Sequence, residues 1–518
     1  MEQVFAAFSD NDFSIIGLDN VLKSIYIAKK DPNIKGIYLE AGLLNAGIAS
    51  LEEIRAALID FKTSGKFIIA YADNYTQGMY YLASVSDKVL MNPIGMLDFR
   101  GISSQPIFIK KALDNLGIEM QVVKVGTYKS ATEPFTLTQM SDENRQQVTQ
   151  FTQSIWTKLL TDISTSRKIS IKKLNTYADE MLMFEPAEKA VEYKLIDKLT
   201  YTDEVKTILE EQAPGYRLLK INALLKNSSN KAPNVTAKTI AVVYAVGDID
   251  ISNDAQNIRS SDLVETLSDI RKDESIQAVV LRINSPGGSA FGAEQIWREL
   301  NLLKSQKPLI ASMGDYAASG GYYIAAPANS IVAEPTTITG SIGIFGLIPN
   351  TNKLMDKLGI SFDVVKTNKY SDMPSITRGF TPEERIFMQQ YVNTGYEQFV
   401  KRCAEGRNLS VPEIKKLAEG RVYTGKDALA IGLVDTLGTL NIAIELAAKK
   451  ADIRDYTIQY FPKQKPFWQK MMSDMYGDIE IRWMKFSLKE NYKYIQLLKS
   501  ISRWNGIQAR LPYELEIK

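Results

Sequence analysis

The chain is one unit written twice. Residues 18–199 can be laid on 260–437 at an offset of 242 residues, with only small slips. IKGIYLEAG (34–42) stands opposite IQAVVLRIN (276–284), GMYYLAS (78–84) opposite GGYYIAA (320–326), and LDNLGI (113–118) opposite MDKLGI (355–360). VVKVGTYK (122–129) then matches VVKTNKYS (364–371), and KLIDKL matches GLVDTL. Whatever one half folds into, the other must fold into as well. A length of 518 residues also exceeds what one hydrophobic core holds. The reading is therefore a first repeat over 1–225, an Asn/Ser/Lys-rich linker over 226–238, a second repeat over 239–460, and an aromatic and basic tail over 461–518. In the second repeat TIAVVYAV, AVVLRI, PLIASM and SIVAEP are short β-branched runs without alternation, as expected of strands buried on both faces. SDLVETLSDIRKD and AEQIWRELNLLK carry apolar residues at helical spacing between them. Strand–helix–strand order predicts two tandem α/β domains with parallel sheets.

Composition narrows the chemistry more than the fold. The chain has no histidine, which excludes a Ser-His-Asp or Cys-His nucleophile, an imidazole base and a His-ligated zinc site. Its single cysteine, Cys403, excludes an internal disulfide and a thiolate metal cluster. Lysine plus arginine and aspartate plus glutamate number 62 and 60, so net charge gives no case for a nucleic-acid partner. No run approaches the eighteen or so apolar residues of a spanning helix.

The two halves have diverged unequally. SPGGSA (285–290) stands opposite LLNAGI (43–48), and Ser319 of AASGG opposite Gln77. Ser341 of TGSIGIFG stands opposite Phe99, whereas Lys129 of GTYKSA stands opposite Ser371. Each half thus keeps what the other lacks. Ser319 follows a strand and precedes a helix, where a nucleophile is held rigidly, although a helix-capping serine fits the same pattern. Gly287 and Gly288 are free to aim their N–H groups at one oxygen, or simply to form a tight turn. Gly320 joins them as a candidate oxyanion or substrate-binding position. Lys129 is an ordinary surface cation unless an apolar cleft lowers it from about 10.4 to roughly 7–8, where it serves as a general base. Ser341 could orient that amine, as the third member of a triad does, or merely shape a loop.

SPGGS, MGDYAASGGYYIA and TGSIGIFG, with VGTYKSATEPFT in the first half, resemble bacterial signal peptide peptidase A in its long, duplicated form. The likeness runs from about Phe13 to about Lys470. It implies a crotonase/ClpP-like α/β fold and a serine protease that degrades released signal peptides. It also implies a homotetramer enclosing its active sites, with Ser319 as nucleophile, Lys129 as base and no cofactor or metal. A dyad split between repeats predicts an active site between the two domains. Two other readings compete: a crotonase-like acyl-CoA enzyme, and a catalytically inactive scaffold. The family's hydrophobic anchor is missing, and the strand TIAVVYAVGDI (239–249) has no complete counterpart ahead of the first repeat. The expectation is that the natural protein extends upstream of Met1 into a membrane anchor, with its catalytic body on the extracytoplasmic face. In the tail, Trp468, Trp483 and Trp504 among basic residues suit an interfacial helix or an oligomer contact, the contact being preferred.

Overall fold

The strand TIAVVYAV shows why the second repeat forms a two-sided sheet. Ala241, Val243 and Ala245 enter one core cluster, and Ile240 and Val242 enter another on the opposite face. The period of two along an extended chain forces this division, and helices cover both sides. The computed structural model describes residues 16–40, 44–228, 238–250, 257–462 and 507–510. They fall into two compact units, one within Met1–Ser103 and Gln153–Val235, the other within Ser104–Thr152 and Thr236–Glu516.

These units do not follow the repeat boundaries. Residues 104–152, part of the first repeat by sequence, belong with the second. Of the expected linker, 226–228 end a helix (Ile221–Ser228), residue 238 opens a strand, and 229–237 lie outside the described residues. The segment ahead of residue 16 and most of the tail lie outside them too.

The first unit carries a parallel sheet in the order Gly36–Glu40, Phe67–Ala72, Lys88–Met91, Lys198–Leu199. Ile69, Tyr71 and Leu90 of that sheet pack on Val205, Ile208 and Leu209 of the helix Thr202–Gln212.

The second unit holds nine strands that matter here: β1 (Glu119–Val125), β2 (Lys238–Val246), β3 (Ile276–Ser285), β4 (Gly287–Ser289), β5 (Leu309–Ala318), β6 (Ile338–Gly340), β7 (Ile344–Asn350), β8 (Tyr456–Phe461) and β9 (Ile507–Arg510). An eight-stranded sheet runs β6–β5–β3–β2–β8 through its centre, all parallel, with shorter strands added beside β5 and β6. The predicted helices are present as Ser260–Lys272 and Ala290–Lys304. A six-stranded sheet runs β1–β7–β9–β4 and ends in two short strands. The β5–β3 register shifts between Met313 and Ala317. A bulge of this kind re-aims the chain beyond it, and Ser319 is the first residue past the end of β5.

Candidate active site

Ser319 ends β5 at φ 56° and ψ −115°, a left-handed conformation that costs a non-glycine residue about 1–3 kcal/mol. Two hydrogen bonds hold it there: its N–H donates 2.8 Å to the Gly340 carbonyl, and its own carbonyl accepts from Tyr323 N–H at 2.9 Å. The second bond starts the helix Gly320–Ala325, as a strand-to-helix turn requires. Ser341 is also left-handed, at φ 50°, and its N–H donates 2.7 Å to the Arg421 carbonyl.

Lys129 arrives from β1. Gly126 turns the chain at φ 108°, so close to Glu419 that a Cβ there would lie 2.5 Å from its carbonyl carbon. Tyr128 N–H donates 2.9 Å to the Glu419 carbonyl. The lysine stem then passes two bare backbones. A Cβ on Gly420 (φ 76°) would sit 2.6 Å from Lys129 Cβ, and one on Gly343 would sit 3.3 Å from Lys129 Cδ. Lys129, Ser319 and Ser341 are all completely buried. Lys129 Nζ lies 2.8 Å from Ser319 Oγ, 3.0 Å from Ser341 Oγ and 3.1 Å from the Ser341 carbonyl oxygen.

A neutral amine can satisfy this surround and still present a lone pair to Ser319. The Ser341 carbonyl can only accept, so it takes one N–H, and Ser341 Oγ takes the second. The remaining lone pair then accepts the Ser319 hydroxyl proton. Burial holds the amine well below the ordinary lysine range, because desolvation penalises the cation.

Gly287 (φ 104°) and Gly288 (φ 150°) lie beside this group in β4. β9 pairs antiparallel with β4, Gly288 opposite Ala509, and antiparallel with β7 on its other side. A Cβ on Gly287 would fall 2.0 Å from the Ala509 carbonyl oxygen and 2.7 Å from Gly320 N. A Cβ on Gly320 would fall 3.1 Å from that same oxygen and 3.2 Å from Gly288 N. Gly287 and Gly320 therefore face one carbonyl of an extended strand, with Gly288 N beside Gly320. They are not equivalent, since Gly287 N–H donates to Ser285 Oγ at 3.2 Å. Gly287→Ala is expected to lower kcat/KM for an extended peptide on the order of 100-fold, because the methyl group takes the place of the peptide backbone and adds strain at a positive φ. Steady-state kinetics check this, and wild-type values would mean that peptides do not approach Gly287.

The structure thus brings Ser319, Lys129, Ser341, Gly287, Gly288 and Gly320 together. It does so inside the second unit rather than between the units, contrary to the sequence expectation. Their counterparts across the repeat, Gln77 and Phe99 in the first unit and Ser371 in the second, are engaged otherwise. The Gln77 side-chain carbonyl accepts from Arg100 and Gly101 N–H at 3.2 and 3.0 Å, and Phe99 is buried against Tyr80 and Trp156. The Ser371 hydroxyl donates 3.0 Å to the Asn368 carbonyl. Sequence reasoning missed Gly420, Ser285 and the strand 507–510. Gly343 lay within a quoted motif without a role, whereas no motif marked Gly420.

The chain is similar to known peptidases. The model of peptidase family S49 matches residues 60–214 and again 301–454, one match per repeat. Protease 4 of Salmonella typhi is 36% identical over 492 residues, 92% of this chain and 79% of that protein. The chloroplastic serine protease SPPA of Arabidopsis thaliana is 33% identical over 84% of this chain and 65% of its own length. A solved ClpP1 from Listeria monocytogenes overlaps 39% of this chain and 94% of its own at 13% identity and a TM-score of 0.28. With both repeats matched and most of its length aligned to named proteases, the chain belongs to peptidase family S49.

Proposed function

We propose that this peptidase is a serine endopeptidase working through a Ser319–Lys129 dyad, and that it degrades released signal peptides and other extended apolar peptides at the membrane. The observation that carries the reading is the 2.8 Å approach of a fully buried amine, whose pKa burial lowers, to the hydroxyl of a serine held at a positive φ. Ser319 Oγ attacks the scissile carbonyl while Lys129 Nζ takes its proton. The oxyanion that forms is held by Gly288 and Gly320 N–H, since Gly287 N–H is engaged by Ser285. Lys129 passes the proton to the leaving amine, leaving an acyl ester on Ser319. A water then attacks the ester, giving its proton to Lys129, and the acid departs as Ser319 regains its hydrogen. Ser341 positions the amine and does not touch the peptide.

Several features support the substrate class. β9 stands in the slot between β4 and β7 that an extended peptide would fill, with Ala509 fully buried beside the glycines. A small or apolar residue fits that position, and a desolvated base requires apolar walls. Unfolded apolar peptides should be cut and folded charged proteins spared; rapid hydrolysis of a folded, highly charged protein would count against the reading. A chain ending at Gly506 should show a KM several-fold lower for such peptides, because β9 no longer competes for the slot. An unchanged or higher KM would mean that peptides seat elsewhere. A homotetramer on the extracytoplasmic side of a membrane is part of the same proposal. No helix among the described residues is long and apolar enough to cross a bilayer. Neither the acyl-CoA nor the scaffold alternative has an observation in its favour.

A further inference from the structure

Lys129 and Ser319 lie 190 residues apart in sequence, so their 2.8 Å approach depends on how two separate segments are held together. One segment is Tyr128–Ser130. The other is the end of β5, where Ser319 N–H donates to the Gly340 carbonyl at the end of β6. β6 pairs antiparallel with the short strand Val422–Thr424, the last strand of its sheet, and Gly340 stands opposite Val422. Ser341 N–H donates to the Arg421 carbonyl. By the alternation of an antiparallel pair, Val422 N–H then points away from β6, toward the open edge. Val422 is buried, so that N–H needs an acceptor from elsewhere.

Gln147 supplies it. This residue sits on the helix Asp142–Arg167 and is 1% exposed. Its side-chain carbonyl accepts from Val422 N–H at 3.2 Å. Its Nε2 donates toward the Tyr128 carbonyl at 3.2 Å, Ser130 Oγ at 3.1 Å and Asn144 Oδ1 at 3.2 Å. The amide can face only one way, because Val422 N–H only donates and the Tyr128 carbonyl only accepts. One side chain thus ties the residues on both sides of Lys129 to the strand that flanks the acceptor of Ser319. The helix is itself pinned to the lysine segment: Asn144 Nδ2 donates 2.8 Å to Glu133, whose carboxylate also takes the N–H and hydroxyl of Ser141. Among the described residues, the backbone bond from Tyr128–Ser130 to the loop before Val422 is Tyr128 N–H to Glu419. One bond fixes a point of contact but not the rotation about it. The repeat offers a comparison. At the 240-residue offset that lays Arg167 on Arg407, Gln147 stands opposite Phe387. Phe387 is half exposed and meets Tyr370, the counterpart of Tyr128, edge to face at 5.2 Å. The half with Ser371 in place of the lysine also has no amide at this position.

We propose that Gln147 is a positioning residue of the dyad, locking Tyr128–Ser130 to the strand Val422–Thr424 and so holding Lys129 Nζ within reach of Ser319 Oγ. The inference rests on the Ser319–Lys129 reading and adds to it a residue that touches neither of the two reacting side chains. Proton transfer needs the amine and the hydroxyl at hydrogen-bond distance, and a displacement of about 1 Å can cost about 100-fold in rate. The hydrogen-bond partners of Gln147 include none of Gly287, Gly288 and Gly320, so peptide binding should be spared. Its loss should therefore fall on kcat.

The test is steady-state kinetics of the full chain on an unfolded apolar peptide. Gln147→Met fills much the same space but makes none of these bonds, and it should lower kcat about 10- to 100-fold with KM within about twofold of wild type. Leu159→Ala, buried about three turns further along the same helix, should lower the melting temperature but keep kcat, which separates positioning from stability. On a Lys129→Ala background, Gln147→Met should change the residual rate by less than about twofold, because a residue acting through the lysine then has nothing to position. Wild-type kcat in Gln147→Met, a loss confined to KM, or a full further loss on top of Lys129→Ala would each overturn the proposal. So would a fall in kcat for Leu159→Ala as large as that for Gln147→Met. Unimpaired cleavage by Lys129→Ala would overturn the dyad reading itself and this inference with it, whereas wild-type kcat in Gln147→Met beside an inactive Lys129→Ala would overturn this inference alone.

Discussion

Ser319→Ala should reduce peptide cleavage by about 10⁴-fold or more while the protein keeps its fold and its peptide affinity. In the proposed mechanism the Ser319 hydroxyl forms the acyl ester, and the single cysteine is no substitute: it is buried, with its thiol pushed far above the usual range by desolvation. Removing a nucleophile leaves only the oxyanion donors and binding to accelerate the reaction. Alanine at φ 56° carries the same backbone cost as serine, so the melting temperature should move little. Steady-state kinetics on an unfolded apolar peptide, with its dissociation constant measured separately, check both parts. Retention of more than a few per cent of wild-type kcat would remove Ser319 from the mechanism.

Lys129→Arg should be as damaging as Lys129→Ala, each costing on the order of 10³–10⁴-fold in kcat. In the proposed mechanism charge is not what the site uses. The amine must present a lone pair to the serine, and a guanidinium stays protonated at any working pH. For the wild-type enzyme, burial lowers the lysine pKa, so kcat/KM should rise with pH through that depressed value and level off while ordinary lysines are still charged. The same burial has the opposite consequence for stability. Lowering the folded pKa means that the unfolded chain binds the extra proton between the folded and unfolded values. Stability therefore falls as pH drops from about 10.4 toward the folded value, by about 1.4 kcal/mol for each unit of depression. Lys129→Met should consequently raise the melting temperature at neutral pH while abolishing activity. Loss of both together would mean that the lysine is structural.

How much of this was legible in the sequence depends on which question is asked. That Ser319 and Lys129 belong together was legible because the repeat supplied an internal control: Gln77 and Ser371 stand at the matching positions, and the structure brings the pair within 2.8 Å. The parallel sheet was legible because residues 240–245 are apolar on both faces. The spatial division was not, since a repeat alignment reports descent rather than contact. Pairing between β1 and β7 draws residues 104–152 into the second unit, and nothing local in VVKVGTYK announces its partner. The cradle of Lys129 was equally silent. Gly420 matters only because its bare backbone meets the lysine stem from a loop distant in sequence. The proposed oxyanion donors were half legible as positions, because the SPGG spelling shows where backbone freedom lies. It does not show that Ser285 occupies the first N–H.

Labelling with a fluorophosphonate, which modifies only activated serine hydroxyls, tests the dyad most directly when the labelled residue is mapped by mass spectrometry across pH. The expected result is modification of Ser319 alone, at a rate that rises with pH through the depressed lysine pKa. The label should be absent from Lys129→Arg even though its serine is intact. Unlabelled Ser319 in an enzyme that still cleaves peptides, or equal labelling in the arginine variant, would contradict the assignment of Lys129 as the base that activates Ser319.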